Sequence, residues 1–384
     1  MNKTRRFLSL LLTLVLTLSL CVIPAAAANT RARSDDPVVF VHGLMGWGQR
    51  DKINRIMPYW GMTTGSLTDY LSSQGYETYA ASVGPISSAW DRACELYAQL
   101  VGARTDYGVK HSQDFGHDRY GIDYEQPLFD GWGTERAVNL VGHSFGGATT
   151  RLFLDILANG RPEEVAAAKA AGVEPSPFFL GGKGSWVHSL TAIAAPHNGT
   201  SFIECNADFT KAAAELATSA SKALGLSKFK GVYDFQLDQF GIRKDENETF
   251  AQALERVLKS DFLSHNDNAF LDLTIDKSLE INKGIAIQPN VYYFSYAGDQ
   301  TSADPRTGNH YPTVSAIPSN GMCALMLSFS YNMGKYYDKY TAGGIYIDRS
   351  WLPNDGRLRP LSNHDGQKHH RLPQAGRLAG LGQL

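Results

Sequence analysis

The segment Gly142-His143-Ser144-Phe145-Gly146 sets a serine between two glycines, directly after the apolar run Val138-Asn139-Leu140-Val141 and before Gly147-Ala148-Thr149-Thr150-Arg151-Leu152. A buried strand, a tight turn and a helix in that order form a nucleophile elbow. Glycines are needed two positions before and two after the serine because the turn is so sharp that side chains there would collide. The Ser144 hydroxyl is thereby lifted above the sheet, where it can attack a carbonyl carbon. Gly147 and Ala148 let the helix lie close to the strand, and the helix N-terminus aims free N–H groups at a developing anion. Phe145 is expected to supply one oxyanion donor from its backbone. A second is expected from the loop after an early strand, and His42-Gly43-Leu44 following Pro37 to Val41 fits, with the Leu44 N–H as the candidate. Two donors aimed at the oxyanion each lower the barrier by about 3–4 kcal/mol.

Positioning those groups requires a sheet. Pro37-Val38-Val39-Phe40-Val41 is a continuous apolar run of the kind buried on both faces of a parallel sheet. A helix pattern from Ser66 to Ser73, closed by Gly75, leads into Glu77 to Ala81, which gives strand, helix, strand. Asp91 is expected to open a further helix, with Ala93, Leu96, Tyr97, Leu100 and Val101 forming a stripe toward the sheet. Val187 to Ala195 and Val291 to Tyr296 read as later strands. The fold class is therefore α/β, a mostly parallel central sheet flanked by helices. Two long excursions, about 103–133 and 200–285, exceed what connecting strands requires, and segments of that length usually serve function. The second carries Phe209, Ala212, Ala213, Leu216, Ala217, Ala220 and Leu224 at helical spacing, which fits either a hinged cover or a helix fixed on the body.

Lys3, Arg5 and Arg6 precede an apolar stretch from Phe7 to Ile23, then Pro24 and Ala25 to Ala28, the pattern of a secretory leader over 1–28. A polar arm (29–36), a body (37–356) and an atypical tail (357–384) follow, and an extracellular protein without a stable membrane span is expected. A net charge of −2 from 36 basic and 38 acidic residues gives no footprint for nucleic acid. Cys94, Cys205 and Cys323 remain after the leader, an odd number that builds no disulfide framework, and they read as packing residues.

With these residues in view, the sequence resembles the secreted lipases of Gram-positive bacteria, the thermoalkalophilic bacillary and staphylococcal group. The shared blocks run from about Pro37 to Asp355. They include Val41-His42-Gly43 with Gly46-Trp47-Gly48, Trp90-Asp91-Arg92-Ala93-Cys94-Glu95, Ala195-Pro196-His197-Asn198-Gly199-Thr200, Val232 to Gln239, and Asn354-Asp355-Gly356. The resemblance implies an α/β-hydrolase fold, triacylglycerol and shorter ester substrates met at an oil–water interface, a monomer or weak dimer, and a helical lid. It also implies a structural zinc held by Asp91, His111, His117 and Asp267. Two imidazoles and two carboxylates close a neutral tetrahedral shell with no open position, as a non-catalytic site needs. Such a tie would order a segment that has few apolar residues of its own. Calcium is not expected, since the family position near Ser315 would act only through a backbone carbonyl.

Asp355 matches the family's catalytic acid, which would accept a hydrogen bond from an imidazole base. The family's histidine lies well beyond that acid in an Asp-His dipeptide, and His364, His369 and His370 match nothing in that motif. From Gly366 the chain holds neither acidic nor aromatic residues. The expectation is a slip of reading frame just after Gly356, with His364 or the His369–His370 pair as the alternative base. Ester hydrolysis of the lipase type leads; an esterase or acyltransferase on the same elbow, and an inactive relative lacking a base, are the rivals.

Overall fold

The computed structural model describes residues 35–205, 229–313 and 324–354. The leader, the Phe209–Leu224 helix pattern, Ser315, Cys323, Asp355, His364, His369 and His370 lie outside the described residues. The elements below belong to one unit that begins at Asp36.

Five strands make the central sheet: β1 (Val38–Val41), β2 (Thr78–Ala81), β5 (Val138–His143), β6 (Val187–Ile193) and β7 (Tyr292–Tyr296), in the order β2-β1-β5-β6-β7 and parallel throughout. The expected parallel α/β architecture is observed. Alternation along β1 explains why its run is apolar: Val39 and Val41 enter the main core, while Phe40 packs on the opposite face with Trp60 and Ala80. Helix α1 (Leu67–Ser73) is capped by Ser66, whose Oγ accepts the Asp69 N–H, and it covers that second face with Leu67 and Leu71.

Helix α2 (Ala89–Val101) starts two residues before the expected Asp91. Ser88 is the cap, accepting the Asp91 N–H at 3.2 Å, which leaves the Asp91 carboxylate free to turn inward. Its apolar stripe enters the main core as expected, together with the helix α4 (Phe145–Asn159) that follows the elbow. The 103–133 excursion is ordered: β3 (Arg104–Asp106) pairs antiparallel with β4 (Tyr120–Asp123), and α3 (Val109–Phe115) lies between them. Glu164 of α5 (Pro162–Ala170) caps α3 by accepting the N–H groups of Lys110 (2.9 Å) and His111 (2.7 Å). The described part of the 200–285 excursion is not merely a cover, because Ala269 and Leu273 belong to the main core. Cys94 is a buried packing thiol. No helix among the described residues is long and apolar enough to cross a membrane.

Candidate functional site

Strand β5 runs to His143, and Ser144 then takes φ 54° and ψ −127°, a backbone state that a side chain adopts only under strain. The Ser144 N–H donates to the Ile193 carbonyl at 2.9 Å, tying the bend to β6. The flanking glycines are required by contact: a Cβ on Gly142 would stand 2.5 Å from the Gly146 carbonyl oxygen, and one on Gly146 would stand 2.2 Å from that of Val41. Ser144 is nine-tenths buried, and no imidazole among the described residues accepts a hydrogen bond from its Oγ.

The loop expected to face the serine does so. A Cβ on Gly43 would lie 2.7 Å from Ser144 Cβ and 3.1 Å from its Oγ. The Gly43 carbonyl accepts from His42 Nδ1 (2.9 Å) and from the Gly46 N–H (3.1 Å). Two donors on one carbonyl fix its peptide plane, and the opposite end of that plane is the Leu44 N–H. Burial and then Arg92 push His42 down to about 3, so its ring is neutral, with Nδ1 protonated and Nε2 receiving the Val83 N–H at 3.4 Å. On the other side, the Tyr59 hydroxyl shares a hydrogen bond with His143 Nδ1 (2.6 Å) and accepts the Gly43 N–H (3.0 Å), so elbow and loop share one phenol. Nothing in the local sequence singles out Tyr59. Its neighbourhood reads as a loop, and only the fold brings it to His143.

A second cluster stands behind α2. One ligand atom each from Asp91, His111, His117 and Asp267 lies within 4.8 Å of every other, and the group is largely buried. His111 Nε2 is 3.2 Å from Asp91 Oδ1 and 3.1 Å from Asp267 Oδ2, and His117 Nε2 is 3.2 Å from Asp267 Oδ2. Burial opposes charge on His111, but Asp267 and Asp91 outweigh it and push the ring up to about 10. His117 moves upward in the same way, against burial and chiefly through Asp267. Yet His117 Nδ1 already donates to the Asp118 carbonyl (2.8 Å), and its buried Nε2 has no hydrogen-bond partner. Geometry is the stronger evidence here: a nitrogen close to a carboxylate but misaligned with it suits a shared cation better than a proton. The donor set, two imidazoles and two carboxylates, fits a divalent ion of the zinc type. Gln239 Nε2 donates to Asp91 Oδ2 at 2.9 Å and Trp90 stacks on His111 at 4.9 Å, holding two of the ligands in place. Gln239 was not singled out from the sequence, although it ends the shared Val232–Gln239 block.

Residues 34–318 match the family described as "Lipase-like, C-terminal domain". The chain belongs to the lipase family of Gram-positive bacteria. It is 37% identical over 285 residues to Lipase 2 of Staphylococcus aureus, covering 74% of this chain and 41% of that relative, so it spans about two fifths of the relative's length. Among solved structures it resembles EstA from Clostridium botulinum (TM-score 0.76, 35% identity, 85% of this chain and 74% of that one). It also resembles lipase 1 from Pelosinus fermentans (TM-score 0.73, 36% identity, 86% and 84%). The fold is of the α/β-hydrolase type, with the five-stranded parallel sheet at its centre.

Proposed function

We propose that the protein hydrolyses carboxylic esters of glycerol, as a secreted lipase acting at an oil–water interface. The observation that carries this reading is the strained Ser144, raised between β5 and α4 with Gly43 pressed against its side chain. In this reading Ser144 Oγ attacks the ester carbonyl as its proton passes to an imidazole outside the described residues, oriented by Asp355. The N–H groups of Leu44 and Phe145 receive the oxyanion. The alcohol leaves with the proton, and water then releases the fatty acid from the acyl-serine.

Asp91, His111, His117 and Asp267 would hold zinc, which bound there fills its shell with protein ligands and supplies structure rather than reactivity. Its place between α2, the 103–133 excursion and Asp267 would tie that excursion to α2.

The test is reaction of the full chain with a fluorophosphonate probe, followed by turnover of tributyrin and trioctanoin emulsions against soluble nitrophenyl esters. Labelling confined to Ser144, lost in Ser144→Ala, and faster turnover of emulsions are expected. Absence of labelling would favour an inactive relative, and a preference for soluble esters would favour an esterase.

A further inference from the structure

Arg92 follows Asp91 on α2 and is fully buried, yet among the described residues no carboxylate lies within ion-pair distance of it. Its three nitrogens instead serve three neutral acceptors on three different segments. Nη2 donates to the His42 carbonyl, Nη1 to the Gly84 carbonyl at 2.7 Å, and Nε to Thr149 Oγ1 at 2.9 Å. Thr149 Oγ1 donates onward to the Phe145 carbonyl at 3.0 Å, and the guanidinium lies 5.1 Å from the centre of the Phe145 ring. One side chain thus grips the turn that carries Leu44 and the first turn of the helix that carries Phe145. Burying a cation whose charge is favoured only at a distance, by the buried Glu95, is unfavourable, and a packed apolar residue commonly serves stability as well or better. The fork is therefore poorly explained by packing. It is well suited to fixing the distance between two segments, because a planar guanidinium holds its donors in a rigid array that an ammonium lacks.

We propose that Arg92 is a positioning residue that keeps the His42–Leu44 turn and the Phe145 end of α4 in register, so that the two oxyanion donors converge on one point. This rests on the ester-hydrolase reading for its catalytic consequence, but the brace itself is a structural claim. Arg92 touches neither substrate nor Ser144. It acts through His42, whose ring pins the Gly43 carbonyl, and through Thr149. Because Asp91 is the preceding residue, the cation cluster and the oxyanion turn are joined through a single turn of α2.

The test compares the full-length wild type with Arg92→Met, Arg92→Lys and Thr149→Val by amide hydrogen exchange, bound-metal content, and kcat and KM on a soluble nitrophenyl ester. Arg92→Met should speed exchange over 42–46 and 145–149 while keeping its metal. Its kcat should fall roughly 10- to 100-fold with KM within about twofold, the signature of an interaction used in the transition state. Arg92→Lys should fall nearly as far, since one ammonium cannot meet three diverging acceptors. Unchanged exchange at 42–46 in Arg92→Met, or wild-type kcat in Arg92→Lys, would overturn the proposal. Should Arg92→Met not fold, Thr149→Val, which removes the Nε acceptor together with the hydroxyl's own bond to the Phe145 carbonyl, decides through the far side of the brace: wild-type exchange at 42–46 overturns the proposal, and faster exchange at 42–46 supports it. Exchange needs no turnover, so wild-type protein that neither labels nor hydrolyses would refute the hydrolase reading while the exchange contrast still judges the brace.

Discussion

His117 Nε2 stands 3.2 Å from Asp267 Oδ2 but is not aligned with it for a hydrogen bond, because the ring is oriented by its Nδ1–H bond to the Asp118 carbonyl. A positive ion at the shared point would resolve the contact. The protein as purified should therefore carry one zinc per chain by atomic absorption, and Asp267→Ala or His117→Ala should lose it. A ligand held at about a thousand times its dissociation constant adds roughly 4 kcal/mol to stability. Chelation of the wild type should lower Tm by several degrees, and the same chelator should leave the Tm of either variant unmoved.

Removing the nucleophile should end turnover without disturbing the fold. Ser144→Ala is expected to reduce kcat on the order of 10⁶-fold with an unchanged circular dichroism spectrum. Asp355→Asn should cost about 10⁴-fold in kcat if that carboxylate orients the base. Single alanine variants at His364, His369 and His370, assayed side by side, identify the base if one of them matches the Ser144→Ala loss.

Two glycines in the site should fail differently. Gly146→Ala forces a Cβ to within 2.2 Å of the Val41 carbonyl oxygen, a backbone atom that cannot step aside, so stability should fall by several kcal/mol along with activity. Gly43→Ala meets Ser144 Cβ at 2.7 Å and the His143 carbonyl oxygen at 3.0 Å, so the turn that carries Leu44 must shift away from the serine. It should leave Tm within a few degrees and still reduce kcat by more than about tenfold, as urea melts and steady-state kinetics would report.

Asp51 is a buried carboxyl that belongs to neither cluster. Burial pushes it from 3.8 up to about 6, while the Gly48 N–H at 2.7 Å holds it partly down. Between those two values the folded protein keeps a proton that the unfolded chain has lost, so this group makes stability fall as pH rises from about 4 to 6 and contributes a constant penalty above. Asp51→Asn removes the titration. Its amide can pair with Gln236, whose Oε1 lacks a partner, after that side chain flips. Relative to wild type, the variant should gain up to about 3 kcal/mol in denaturant melts between pH 4 and pH 6 and gain nothing further by pH 8.

The parts of this molecule written in local sequence were legible in it. The elbow declares itself because glycines at 142 and 146 are imposed by contacts with the adjacent turn and strand, and the apolar run of β1 because both of its faces are covered. The start of α2 was misread at Asp91, since an aspartate there looks like a cap, whereas Ser88 caps the helix and Asp91 is drawn into the cation cluster. Asp267 lies far from the other three in the chain. It meets His111 across a separation of 156 residues, and no periodicity reaches that far. Arg92 lies in plain view within a shared block, yet an arginine on a helix reads as solvated, and only the fold reveals that it is enclosed. Tyr59 is hidden because it lies in a loop-like stretch that only the fold brings to His143.

The backbone at Ser144 carries φ 54° and ψ −127° with a side chain attached, a conformation that costs of order 1–3 kcal/mol and that glycine adopts freely. Ser144→Gly should consequently yield an inert protein that withstands heat better than the native one. The hydroxyl is thus kept at its post against the chain's own preference, and any lineage freed from the need for it would be expected to drift toward a sturdier, silent form.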